Sequence, residues 1–133
     1  MNAAKAVSEE VAKKEVDKWL DFRRVRRKKR EENESSIKDM VEAFEEGILI
    51  LDHKTHVIKQ TLIFETAGKK EFNFKPSMSV GDGQRRLKGI KSGDHQLMLS
   101  AYVAELTGEA SEVIRQMNTE DYGISRTIAG FFF

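Results

Sequence analysis

Between Ala3 and Glu34 the chain has neither glycine nor proline and is rich in Ala, Glu, Lys and Arg. A stretch of strong helix formers without a breaker predicts one long helix. Glu9 and Glu10 precede Lys13 and Lys14 by four residues, the favourable order for helix ion pairs, while Arg27, Lys28 and Arg30 meet Glu31, Glu32 and Glu34 in the reverse order. Apolar positions are few: Val7 and Val11, then Trp19, Phe22 and Val25. A stripe this narrow predicts a helix that projects from the body or lies along a neighbour. Residues 1–34 are therefore expected to be a helical extension, and 35–133 the folded body of a single domain.

The rest of the chain reads as α+β. Ser36 is placed to cap a second helix, with Ile37, Met40, Val41 and Phe44 at i, i+3, i+4, i+7 and Gly47 as the stop. "ILIL" at 48–51 opens a strand, "DHKT" a turn, and "HVIKQTLIFE" alternates Ile58, Leu62 and Phe64 with polar positions, apart from Gln60. "TAGKK" turns the chain into "EFNF", where Phe72 and Phe74 share a face, and Pro76 ends a small antiparallel sheet of about three strands. A glycine-rich segment with one short helix around Gln84–Leu87 follows. Asp94 then caps a helix through Leu106, closed by Gly108. Ser111 starts a short helix, and Thr119 caps a last one carrying Ile124, Ile128 and Phe131 on one face. These C-terminal helices are expected to pack on the sheet.

Composition narrows the function. There is no cysteine, which excludes disulfides, thiolate metal sites and a cysteine nucleophile. No apolar run approaches the roughly 18–20 residues of a bilayer span, and the N-terminus lacks the apolar core of a signal peptide. The expectation is no membrane association and an intracellular location. The 23 basic and 22 acidic residues nearly cancel, which argues against a whole-molecule nucleic-acid binder. "RRVRRKKR" at 23–30 could still track phosphates, but on a helix its cations point all round the axis, so it reads as a charged patch. His53 and His56 flank a turn beside Asp52, a poor geometry for a metal. "GDGQRR" lacks the Gly-Lys-Ser/Thr of a phosphate loop. With no Gly-x-Ser-x-Gly and no carboxylate pair in apolar surroundings, no catalytic constellation emerges. The chain reads as a non-enzyme without cofactor.

The sequence finishes on Phe131, Phe132 and Phe133. Successive helical side chains turn by about 100°, so at most two of three consecutive rings share a buried face. Phe131 is expected inside, on the Ile124–Ile128 face, and Phe132 or Phe133 free for a partner; the alternative is that all three rings pack in the chain's own core. With Trp19 and Phe22 these three rings are the candidate partner-binding residues, and Met40, Met78, Met98 and Met117 suit adaptable contacts.

The segment "YVAELTGEASEVIRQMNTEDYGISRTIAGFFF" resembles the end of the tail assembly chaperones of tailed bacteriophages. The likeness is carried by the Leu106-Thr107-Gly108 turn, the Ile114-x-x-Met117 step, the Asp121-Tyr122 pair and a final helix ending in Phe131 and Phe132. The preceding "VIKQTLIFETAGKKEFNFKPSMSVGDGQRRLKG" is similar to that family's β-hairpin and short helix, so the resemblance covers about residues 48–133. It implies a small protein of virion morphogenesis in the host cell cytoplasm. Such a protein binds the helical tape-measure protein until tail-tube subunits polymerise around it, and is often made in two lengths by frameshifting. A second copy of the chain is a further candidate partner. The alternatives are a structural tail or neck component of the virion, and a DNA-associated protein using the 23–30 run.

Overall fold

The structure is a computed structural model and describes residues 6–91 and 93–133. It is an α+β protein: a three-stranded antiparallel sheet with helices before and after it.

The expected long helix is two helices, α1 (Glu9–Phe22) and α2 (Arg27–Glu32), and the expected second helix follows as α3 (Glu34–Glu45). Residues 3–5 of the predicted span lie outside the described residues. α1 stops without a glycine. Arg24 adopts a left-handed φ of 54°, with Arg24 N–H bonded to Asp21 O and Val25 N–H to Leu20 O, both at 3.0 Å. This is the Schellman closure, in which the left-handed position is normally glycine. The apolar contact that accompanies it is supplied by Leu20 and Val25, both buried. α3 ends with the same pattern in its usual form: Gly47 has φ 75°, Gly47 N–H reaches Phe44 O and Ile48 N–H reaches Ala43 O.

The break folds α1 back onto α3. Ala12, Val16, Trp19 and Leu20 are buried in the same hydrophobic core as the sheet and the C-terminal helices. Of the thin stripe expected for a projecting helix, Trp19 and Val25 are buried and Val7 packs on the core, but Val11 and Phe22 are exposed, and Ala12, Val16 and Leu20 widen the buried face. α1 is a core element rather than an extension. Ser36 does not cap α3 either; the helix begins at Glu34 after Asn33.

β1 (Leu49–Leu51), β2 (Ile58–Thr66) and β3 (Lys69–Phe74) follow in the order β1-β2-β3. Asp52 holds the first turn by accepting from the N–H groups of Lys54 and Thr55. Leu49, Leu51, Ile58, Leu62, Phe72 and Phe74 line the buried face. Pairing of β2 with β3 is irregular between Thr61 and Thr66, and there Ile63, Phe64 and Glu65 are all exposed. A bulge breaks the period of two, which is why Phe64 does not share the inner face with Ile58 and Leu62.

Beyond the sheet come α4 (Val80–Leu87), α5 (His95–Thr107), α6 (Ser111–Arg115) and α7 (Thr119–Ala129), then a 3-10 turn over Gly130–Phe132. Asp94 caps α5 as its position suggests, and Gly108 closes it with φ 71°. α7 is capped by Asn118, one residue before the expected Thr119.

A buried polar cluster joins α7 to the sheet. β1 begins opposite Gln60, and the next N–H of β2, that of Thr61, still reaches Ile48 O at 2.8 Å. Two residues on, that edge of β2 has run past β1. Asp121 takes the role of the missing strand: its carboxylate accepts from Ile63 N–H at 2.8 Å and Phe64 N–H at 3.0 Å. Gln60 donates to the Asp121 carbonyl at 2.9 Å and accepts from the Ser125 hydroxyl at 2.6 Å. All three side chains are buried, so Gln60, the polar exception in the β2 pattern, is matched rather than stranded.

Candidate functional site at the C-terminal aromatic edge

Four of the five aromatic residues singled out in the sequence come together. The 3-10 turn lays Phe131 and Phe132 against Trp19 near the C-terminal end of α1, and Phe133 follows directly after it. Phe131 is buried and meets Trp19 edge-on, with ring centroids 5.7 Å apart. Phe132 is half-buried, tilted against Trp19 at 6.2 Å. Phe133 is 44% exposed and stacks on Tyr102 of α5 at 4.6 Å. The three rings thus grade from core to surface.

Trp19 and Phe131 are core residues, so of the expected contact set they offer no surface. Phe22 is not part of the cluster: it is exposed and stacks on His56, at 3.9 Å between centroids, in the β1–β2 connection. His53 in the same connection pairs with Glu15 of α1 at 2.7 Å. The two histidines thus fasten this turn to α1. Of the four methionines, Met40 and Met117 are buried in the core and Met78 and Met98 are half-buried.

The basic run splits in two. Arg23 reaches back to the terminal turn, donating to Pro76 O at 2.8 Å and Phe131 O at 3.0 Å, with its guanidinium 3.5 Å from the centre of the Phe132 ring. Lys29 donates to Phe131 O at 2.8 Å and Phe133 O at 2.5 Å. Arg30 returns to Val25 O and Asp21 across the α1–α2 break. Arg24, Arg26, Arg27 and Lys28 face solvent, the last two beside Glu31 and Glu32. The inner cations register their burial: desolvation lowers the Arg23 pKa to about 10. Lys29 is lowered too, by desolvation first and then by the Arg23 charge.

Arg23, Lys29 and Tyr102 are the residues of this site that sequence reasoning missed. The signal for Arg23 was its place one turn after Trp19, on the same helix face. Tyr102 carried no signal, because its partner ring is 31 residues away.

Among the described residues no group of three or more His, Asp or Glu side chains is placed to hold a metal ion, and no helix is long and apolar enough to cross a membrane. The arrangement presents no nucleophile beside a base. What it offers is an aromatic ledge, Phe133 on Tyr102 with Phe132 behind it, bordered by two partly desolvated cations. No protein-family model, curated protein or solved structure matches the chain.

Proposed function

We propose that the protein is a binding protein of phage tail morphogenesis, an assembly chaperone that holds the apolar face of the tape-measure protein in the host cytoplasm until tail-tube subunits displace it. The observation that carries this reading is the exposed Phe133 ring stacked on Tyr102. It is an aromatic contact ledge held on a rigid base, where Phe131 is locked inside and Arg23 and Lys29 pin the backbone. A surface of that kind can take a partner helix without unfolding its own core. Its resemblance to the tail assembly chaperones over residues 48–133 supplies the identity of the partner.

The rival readings draw less support from the geometry. A virion component joined through a projecting helix needs a free α1, and α1 is packed into the core. A DNA-associated protein needs a continuous cationic stripe, and Arg23, Lys29 and Arg30 are turned inward onto protein carbonyls. Quantitative immunoblotting of purified mature particles against infected-cell lysate separates chaperone from structural subunit. The chaperone reading expects the protein in lysate and none in particles; stoichiometric retention in particles contradicts it.

A further inference from the structure

Trp19 and Arg23 lie one turn apart on α1, and each keeps a buried N–H without an acceptor: Nε1 of Trp19 and Nε of Arg23. Unmet donors at neighbouring positions are rare in folded proteins, because each costs the desolvation of its polar group. The recorded acceptors of Arg23, Pro76 O and Phe131 O, are neutral carbonyls. A desolvated guanidinium ordinarily meets a carboxylate, and here the second cation of the site, Lys29, adds repulsion. The Phe132 ring lies 3.5 Å from the Arg23 guanidinium carbon and is tilted on the Trp19 indole. Phe132 is only half-buried, so one side of its ring already meets solvent.

We propose that Trp19 and Arg23 form a receptor for a carboxylate flanked by apolar groups, a Glu or Asp on the apolar face of a partner helix, with Phe132 as the cover it displaces. One carboxylate accepts from Trp19 Nε1–H and Arg23 Nε–H, neutralises the guanidinium, and seats its flanking apolar groups against Phe133. The occupant is chosen by charge complementarity: the site offers donors and positive charge within an aromatic wall. This rests on the partner-helix reading above and adds what that helix must carry.

Trp19 is the only tryptophan, so its emission reports the site directly. The full chain is titrated with 3-phenylpropionate, with 3-phenylpropanol (ring, no charge) and with propionate (charge, no ring). The expected result is a saturable shift in Trp19 emission with 3-phenylpropionate at a concentration at least about tenfold below that of the other two, the worth of a charge-assisted hydrogen bond. Arg23→Gln, which removes both the charge and Nε–H, should erase the preference of acid over alcohol. Phe132→Ala, which removes the cover, should tighten 3-phenylpropionate several-fold, and it tests the site even if the Arg23 variant folds poorly. Equal responses to acid and alcohol, or none in both wild type and Phe132→Ala, would overturn the proposal. Failure of tape-measure capture with this preference intact would count against the proposed function and not against the site.

Discussion

Trp19 and Phe131, 112 positions apart in sequence, pack edge to face with centroids 5.7 Å apart and almost no exposed surface. This contact brings the C-terminal turn onto α1, so the two ends of the fold hold each other. Phe131→Ala and Trp19→Ala should each cost about 3–5 kcal/mol in urea unfolding, and the double variant should cost less than their sum. A fragment starting at Ser35, which lacks all of α1, should lose cooperative unfolding. Additive single costs, or a cooperative fragment, would show that the contact joins nothing.

Asp121 stands in for a strand at the edge of β2. Asp121→Ala leaves the Ile63 and Phe64 N–H groups without their acceptors and should cost about 2–4 kcal/mol. Asp121→Asn keeps one good acceptor oxygen and should cost about half as much. Hydrogen exchange resolves the effect: the two amides should lose protection in Asp121→Ala before the rest of β2 does.

Arg24 is strained where glycine would not be. A left-handed conformation costs a non-glycine residue about 1–2 kcal/mol, and glycine recovers part of it against its larger unfolded-state entropy. Arg24 is exposed. Arg24→Gly should therefore raise stability by about 0.5–1 kcal/mol in denaturant titrations, whereas Arg26→Gly, at an extended position, should not.

Glu105 of α5 is held below the ordinary carboxyl value of 4.5, first by its hydrogen bond from Lys75 and further by Arg86, against an opposing effect of burial. A depressed folded-state pKa contributes stability above the unfolded value and loses it as pH falls through the folded one. Stability should thus decline below about pH 4.5 more steeply in wild type than in Glu105→Gln. The two pH profiles measured by thermal melting should converge towards the acid end.

Much of the architecture could be read from local patterns. The sheet order follows from two short turns, and Asp94, Gly47 and Gly108 act at the helix ends where their chemistry places them. The failures have physical causes. The α1–α2 break was invisible because an arginine occupies a glycine position, stabilised by the Leu20–Val25 contact and by Arg30 reaching back to Val25 O. α1 looked thinly apolar because the expected stripe passed over Val16 and Leu20, and because Ala12, counted as a helix former, is a close-packing core residue. Gln60 broke the alternation because its partners, Asp121 and Ser125, lie more than 60 residues on. At the candidate site the division of the three phenylalanines between core and surface was legible from helical geometry. The cations that pin them were not, since a basic run read alone does not say which side chains turn inward.

If the proposed function holds, the outer ring of the C-terminal run serves a partner while the inner ring serves the fold. Phe133→Ala and Phe131→Ala, each measured for unfolding free energy and for affinity towards a purified tape-measure helical segment, test it most directly. Phe133→Ala should cost about 1 kcal/mol of stability, the worth of its stacking on Tyr102, and weaken binding by at least about tenfold. Phe131→Ala should instead lose about 3–5 kcal/mol of stability. If Phe133→Ala binds the segment as tightly as wild type, the exposed ring is not the contact and the claim fails.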